Sequence, residues 1–218
     1  NYNELEKIIV KDVLFYYKGL YIRSFLFPDS KKLRKILKEK LKRDTIIPKA
    51  YNMFEYLVEN NYKGQIILEQ KEDGDDCKKE IIKLINKYKD KLNILVHSYY
   101  YDKNLDIKNK TGAKIGFLYN GMNHLSIKLT PEYIKESNYD FYSLMWELLF
   151  MSKNIKAITD NKKDLYLWTI DSIVHYKLTL FILRRLYKKY HKLPENIYLI
   201  TNIPLIINEY LKKDKIAN

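Results

Sequence analysis

Glu69 and Lys71 stand two residues apart in a short apolar segment, Gln65–Lys71 (QIILEQK). Side chains at that spacing on a strand share one side. A carboxylate and an ammonium so placed can act together on a charged ligand, or they can be a buried ion pair kept for architecture. The segment Asn93–Ser98 (NILVHS) closes on His97 and Ser98. His97 there could serve as an acid or a ligand, although a lone histidine in an apolar strand is more often a hydrogen-bonded core residue. Asp164–Asp171 (DLYLWTID) brings Trp168, either a pocket wall or a core aromatic with its indole N–H satisfied. Asn196–Pro204 (NIYLITNIP) brings Thr201 and Asn202, which can hydrogen-bond a ligand or cap the helix that follows. His124, His175 and His191 show no metal-ligand spacing. Cys77, the one cysteine, excludes an internal disulfide and a Cys-based zinc site. In its polar run, GDDCKKE, it reads as an exposed residue at a loop or helix start.

With Lys114–Tyr119 (KIGFLY) as a fifth, each of these strand-like segments ends in a polar or chemically useful residue. Helix-like stretches separate most of them, the pattern of a parallel βα protein. A (β/α)₈ barrel places its chemistry just past the C-terminal ends of its strands. The start, Lys7–Phe27, predicts two β segments around the turn signal Lys18-Gly19. Ser30–Lys42 predicts a basic amphipathic helix, with Leu33, Ile36, Leu37 and Leu41 at helical spacing. Further helices are expected over Ala50–Asn60, Lys78–Tyr88, Asn104–Lys108, Pro131–Glu136, Ser152–Asn161, Ile173–Tyr190 and Leu205–Lys212. Periodicity leaves Asp140–Phe150 open between helix and strand, and the alternation requires a strand. The sum is about six βα units behind a β-rich start, which supplies one further strand of the eight a barrel needs. The expectation is a single TIM-barrel-like α/β domain over residues 1–218 whose first strand is missing or irregular.

The chain has 218 residues, 46% of them hydrophobic, enough for one sizeable core. No run approaches the ~18 apolar residues of a membrane span. The first residues carry neither a basic start nor an apolar core, so no secretory signal is read. The absence of an initiator Met reads as a trimmed piece of something longer. Net charge is 40 − 27 = +13. That favours an acidic partner such as RNA or an anionic membrane surface, or it follows from AT-rich coding, with Lys, Asn, Ile and Tyr dominating throughout. The densest basic runs are Lys31–Arg43 and Arg184–Lys192. A cytoplasmic or membrane-peripheral location is expected.

These segments resemble the glycerophosphodiester phosphodiesterase family, TIM barrels related to the phosphatidylinositol-specific phospholipases. Leu68-Glu69-Gln70-Lys71 resembles its I-E-x-K strand, and Ser98-Tyr99-Tyr100 with Leu105 its S-F-(D/N) segment. Trp168-Thr169-Ile170-Asp171 resembles V-x-V-W-T-V-N, and Thr201-Asn202-Ile203-Pro204 resembles G-I-I-T-D-x-P. Asp12-Val13 through Gly19 to Ile22 resembles D-V-x-x-T-x-D-G-x-x-V. The resemblance implies a Mg²⁺ or Ca²⁺ ion on Asp12 and Glu69, if any metal binds. It implies a phosphate clamp at Lys71, a glycerophosphodiester against Ser98, Trp168 and Thr201, and His97 as a substitute acid or base.

The fit breaks in one region. The family's E-x-D glutamate aligns with Val10, no H-R-G exists, and Arg23-Ser24-Phe25 stands where H-D should follow Ile22. The expected function is a catalytically degenerate relative, a binding or assembly module in a protein complex or at an anionic surface. The alternatives are an active metal-dependent phosphodiesterase of lipid or glycerol metabolism, and a basic nucleic-acid-binding protein.

Overall fold

The computed structural model describes residues 14–17, 20–23, 50–70, 74–99, 101–121 and 128–213. The chain divides into two compact units, Asn1–Leu95 with Asn109–Ala113, and Val96–Lys108 with Lys114–Asn218.

In the first unit, β1 (Leu14–Tyr17) and β2 (Leu20–Arg23) pair antiparallel, Tyr17 opposite Leu20. This is the hairpin that Lys18-Gly19 predicts. The two strands form a sheet of their own, so among the described residues the β-rich start adds no strand to the parallel sheet, where one was expected. The helix expected over Ser30–Lys42 lies outside the described residues. Helix α1 (Ala50–Glu59) stops at Asn60-Asn61, where Asn61 turns left-handed with φ 56. β3 (Gln65–Gln70) follows, then α2 (Asp75–Tyr88). The latter begins three residues before Lys78 because Asp75 and Asp76 occupy its first turn, where acidic groups are favoured. They pair with Lys78 and Lys79 at 3.5 and 3.3 Å. Cys77 therefore sits inside this first turn and is half-buried, not exposed. The rings of Phe54 and Tyr88 meet at 5.5 Å and join α1 to α2. Glu55 accepts hydrogen bonds from Lys87 and the Tyr88 hydroxyl at 3.1 and 3.2 Å.

β4 (Asn93–Ser98) neighbours β3 and carries the chain into the second unit. There α3 (Tyr101–Thr111) runs longer than Asn104–Lys108, since no Gly or Pro interrupts it before Gly112, which ends it with φ +74. The strand order continues β4-β5-β6-β7-β8, with β5 (Lys114–Tyr119), β6 (Phe141–Met145), β7 (Asp164–Trp168) and β8 (Ile197–Leu199). The β5–β6, β6–β7 and β7–β8 pairings are parallel. The ambiguous stretch Asp140–Phe150 is strand to Met145 and then a 3₁₀ turn, Trp146–Phe150. Helices α4 (Pro131–Glu136), α5 (Ser152–Asp160), α6 (Ile173–Tyr190) and α7 (Pro204–Lys213) lie between and after the strands. Thr130 caps α4 by accepting from the Tyr133 N–H at 3.2 Å, and Ser172 caps α6 by accepting from the His175 N–H at 3.1 Å.

The second unit's sheet is buried on both faces. Phe117, Tyr142, Leu144, Leu165 and Leu167 face the helices, packing with Ile134 of α4, Ile155 and Ile158 of α5, and Leu183 and Leu186 of α6. By register, Gly116, Phe141, Ser143, Tyr166, Trp168 and Tyr198 share the opposite, inner face. There the Phe141 and Tyr166 rings lie 4.8 Å apart, and Tyr166 stacks on Tyr198 at 4.4 Å. A Cβ on Gly116 would fall 2.1 Å from the Phe141 ring. Asp140 holds the entry to this region. Its carboxylate accepts from the Ile115 N–H (2.9 Å) and from Lys108 Nζ (2.8 Å), while its own N–H donates to the Ile115 carbonyl (2.9 Å). Nearby, burial lowers the Lys163 ammonium below the usual lysine range.

Two outcomes follow. Gly116→Ala should cost about 1–3 kcal/mol, the range for overpacking a filled core, read as a lower urea midpoint, and adding Phe141→Leu should recover part of it. Burial pushes the Tyr142 hydroxyl from its ordinary 10.0 up to about 12. A phenol raised on folding contributes stability below its unfolded value and loses it as pH climbs through the folded one. Stability should therefore fall between pH 10.0 and about 12, by roughly 2 kcal/mol from this residue. Tyr142→Phe should make that decline shallower in denaturation at stepped pH.

Candidate functional site

Of the residues expected to do chemistry, Asp12 and Lys71 lie outside the described residues. Glu69 is the penultimate residue of β3 in the first unit and is half-buried. Among the described residues, no group of three or more His, Cys, Asp or Glu is placed to hold a metal ion. Glu69 is the one described member of the expected ligand pair, which is too little to build a hard-cation site, so no step below is routed through a metal.

The other residues end strands of the second unit. His97 is 4% exposed, and its ring lies 6.3 Å from that of Phe141, so it belongs to the inner face. Ser98, fully buried, alternates to the helix-facing side. The two neighbours therefore cannot serve the same face, and of the pair only His97 looks inward. Trp168 closes β7 on the inner face, one layer beyond Tyr166, opposite Met145 of β6. Its indole Nε1 is shielded from solvent and has no hydrogen-bond partner among the described residues.

Thr201 and Asn202 have local partners. The Thr201 hydroxyl accepts from the Ile203 N–H at 3.0 Å, capping the turn into α7. Asn202 donates to Asp171 from its backbone N–H at 2.9 Å and from its side-chain amide at 2.6 Å. That pair ties the end of β7 to the end of β8.

Further groups lie within β6, just past it and in the first turn of α6. Ser143 is fully buried on the inner face, and its hydroxyl has no partner among the described residues. Glu147, two residues past β6, keeps one carboxylate oxygen shielded and likewise unpartnered. His175, in the first turn of α6, stacks on Trp146 with centroids 5.1 Å apart. Ser143, Trp146 and Glu147 were hidden in the sequence because Asp140–Phe150 carried no clear period. Ending that strand at Met145 makes Trp146 and Glu147 the residues past its C-terminal end, by the rule that singled out the others. A buried polar atom without a partner is costly, so such atoms mark hydrogen-bonding capacity for a ligand. The indole and the Ser143 hydroxyl can donate, and the Glu147 carboxylate can accept. Donors and acceptors of these types are the ones that pair with hydroxyl or ester oxygens.

No protein-family model matches the sequence, and no curated protein matches it by sequence. The structure is similar to that of a candidate glycerophosphodiester phosphodiesterase from Galdieria sulphuraria, with a TM-score of 0.62 and 14% identity, over 91% of this chain and 75% of that one. It is also similar to a glycerophosphodiester phosphodiesterase from Thermotoga maritima, with a TM-score of 0.52 and 16% identity, over 94% and 77% of the two chains. The likeness shows the fold: a parallel sheet alternating with helices, of the glycerophosphodiester phosphodiesterase barrel type.

The motifs quoted for that family end in Asn after the Trp-Thr strand and in Asp after the last one. Here the residues are Asp171 and Asn202, a reciprocal exchange that keeps one carboxylate and one amide. Asp171→Ala should lower stability by about 1 kcal/mol. The double exchange Asp171→Asn with Asn202→Asp should restore most of that loss in thermal and urea unfolding.

Proposed function

We propose that a chain of this fold acts as a binding module that has lost hydrolysis, holding a glycerophosphodiester-like group at the C-terminal ends of its strands. The observation that carries this reading is the surroundings of His97. Hydrolysis by this family's route needs a base for the nucleophile and an acid for the leaving alkoxide. Val10 and Arg23-Ser24-Phe25 stand where the family's motifs place a metal ligand and a histidine. His97 is the histidine best placed along the chain to substitute, and it lies buried with its ring against Phe141. A buried imidazole against an aromatic ring can shape a pocket, but burial leaves it badly placed to pass protons between two oxygens at the mouth.

In this reading Trp168 forms a wall and donates its indole N–H to a ligand oxygen, Ser143 offers a second donor, and Glu147 accepts from a hydroxyl. The excess of basic residues brings the module to an anionic surface or into a larger complex.

Purified chain should release no glycerol phosphate from glycerophosphocholine above background, with either Mg²⁺ or Ca²⁺ present. Each missing proton-transfer group is worth roughly 10²–10⁴-fold, so losing two leaves little to detect. Metal-dependent turnover abolished by Glu69→Ala would overturn the reading.

A further inference from the structure

Helix α6 buries Tyr176, Thr179, Leu180, Ile182, Leu183 and Leu186. Its opposite face is not simply polar. Val174, Leu178 and Phe181 lie at helical spacing on that face and are 64%, 44% and 55% exposed. Arg185 continues the row, its guanidinium 5.6 Å from the centre of the Phe181 ring. Lys177, Arg184 and Lys188 form the adjacent exposed row. The helix carries no acidic residue. Next to it, α7 packs through Ile207 against Tyr176 and Leu180, and its first turn turns out Leu205, 80% exposed, and Ile206. Apolar side chains thus gather where both helices begin, and cations gather toward the end of α6.

We propose that this face of α6 and α7 docks on an anionic phospholipid bilayer, with Val174, Leu178, Phe181 and Leu205 entering the interface and Lys177, Arg184, Arg185 and Lys188 meeting the headgroups. The inference rests on the binding-module reading for its role in the protein, though not for the contact itself. Charge and apolarity together select the partner. Exposed aliphatic residues gain little against RNA, whose contacts are phosphates, sugars and base planes. A folded protein would need a carboxylate positioned for each of these spread cations. A fluid anionic leaflet supplies both at once: mobile headgroups move to the cations, and the acyl boundary takes the apolar row. No helix among the described residues is long and apolar enough to cross a membrane, which fits a helix that lies on the surface. Helices begin at the ends where their preceding strands finish, so the apolar part of this face adjoins the end of the sheet that bears Trp168 and Asp171. Docking there would bring that end of the second unit to the headgroup layer.

The test is co-sedimentation of the full chain with phosphatidylcholine vesicles, with and without about one-third phosphatidylserine. Binding should be at least about tenfold tighter to the anionic vesicles and should weaken at high salt. Leu178→Gln with Phe181→Gln should weaken it about tenfold, and Arg184→Gln with Arg185→Gln should remove most of the preference for phosphatidylserine. All four positions are exposed, and circular dichroism melts check that the variants fold. Equal, weak binding to both vesicles overturns the proposal. So does vesicle binding unchanged in both variants, or binding of an RNA oligonucleotide without vesicle binding. Vesicle binding by a chain that also hydrolyses glycerophosphocholine would sink the module reading and leave the docking face standing. Absence of both activities would sink the docking face alone.

Discussion

The side chain that Gly116 lacks is the constraint on which the second unit's interior depends. With no Cβ at that position, the Phe141 ring lies flat over β5 and reaches toward His97 on β4. From there the aromatic layer continues through Tyr166 to Tyr198. Stacked rings fill the inner face at native density with few rotatable bonds, and each buried aromatic contributes more than its area alone. The helix-facing side is filled separately, with Phe117 at the centre of a second group of rings that includes Tyr133, Tyr139 and Tyr142. A sheet closed on both sides in this way leaves its strand ends as the places where polar groups can meet a ligand.

That closure bears on function in two ways. It sets the buried His97 ring beside Phe141 in the packed layer. It also leaves Trp168 at the end of β7 and Glu147 just past β6 with hydrogen-bonding capacity, and Ser143 with the same in the middle of β6. The Asp171–Asn202 pair shows the same economy. The residues that join the last two strands are one carboxylate and one amide, in contact across the strand ends. Such a framework is set by packing, whereas chemistry on a fold is carried by few side chains.

Most of the strand–helix alternation was legible in the residues. Short β-branched and aromatic runs bounded by polar turns predicted all of the strands from β3 to β8 except β6, and α6 was legible to the residue from its apolar period. The stretch that forms β6 was ambiguous because Phe141–Phe150 is apolar nearly throughout, so neither a period of two nor of 3.6 stands out. Pairing on both sides settles it: β6 takes β5 and β7 as partners, and tertiary context overrides local pattern. The early start of α2 came from Asp75 and Asp76, whose preference for a helix N-terminus is electrostatic and invisible to hydrophobic spacing. The strand-end placement of Trp168 and Thr201 was legible because each ends or follows a recognised strand. That of Glu147 was missed because the strand itself was uncertain. Which side Ser98 would take depended on the register of β4 against the aromatic layer, and nothing in NILVHS specifies that.

The order of the strands has a consequence for how the chain reaches this state. Every strand from β4 to β8 lies beside its neighbours in sequence. Each new strand emerging from a ribosome therefore finds its partner already made, and each closing loop is only as long as one intervening helix. Contacts of such short range favour rapid, sequential assembly over a search among distant pairings. Among the described residues the sheet ends on β8, a strand of three residues, and so short an edge offers little template for a second chain to add to. Growth from one end with a blunt finish lets a lysine-rich, aromatic-rich chain fold during synthesis while exposing little unpaired edge along the way.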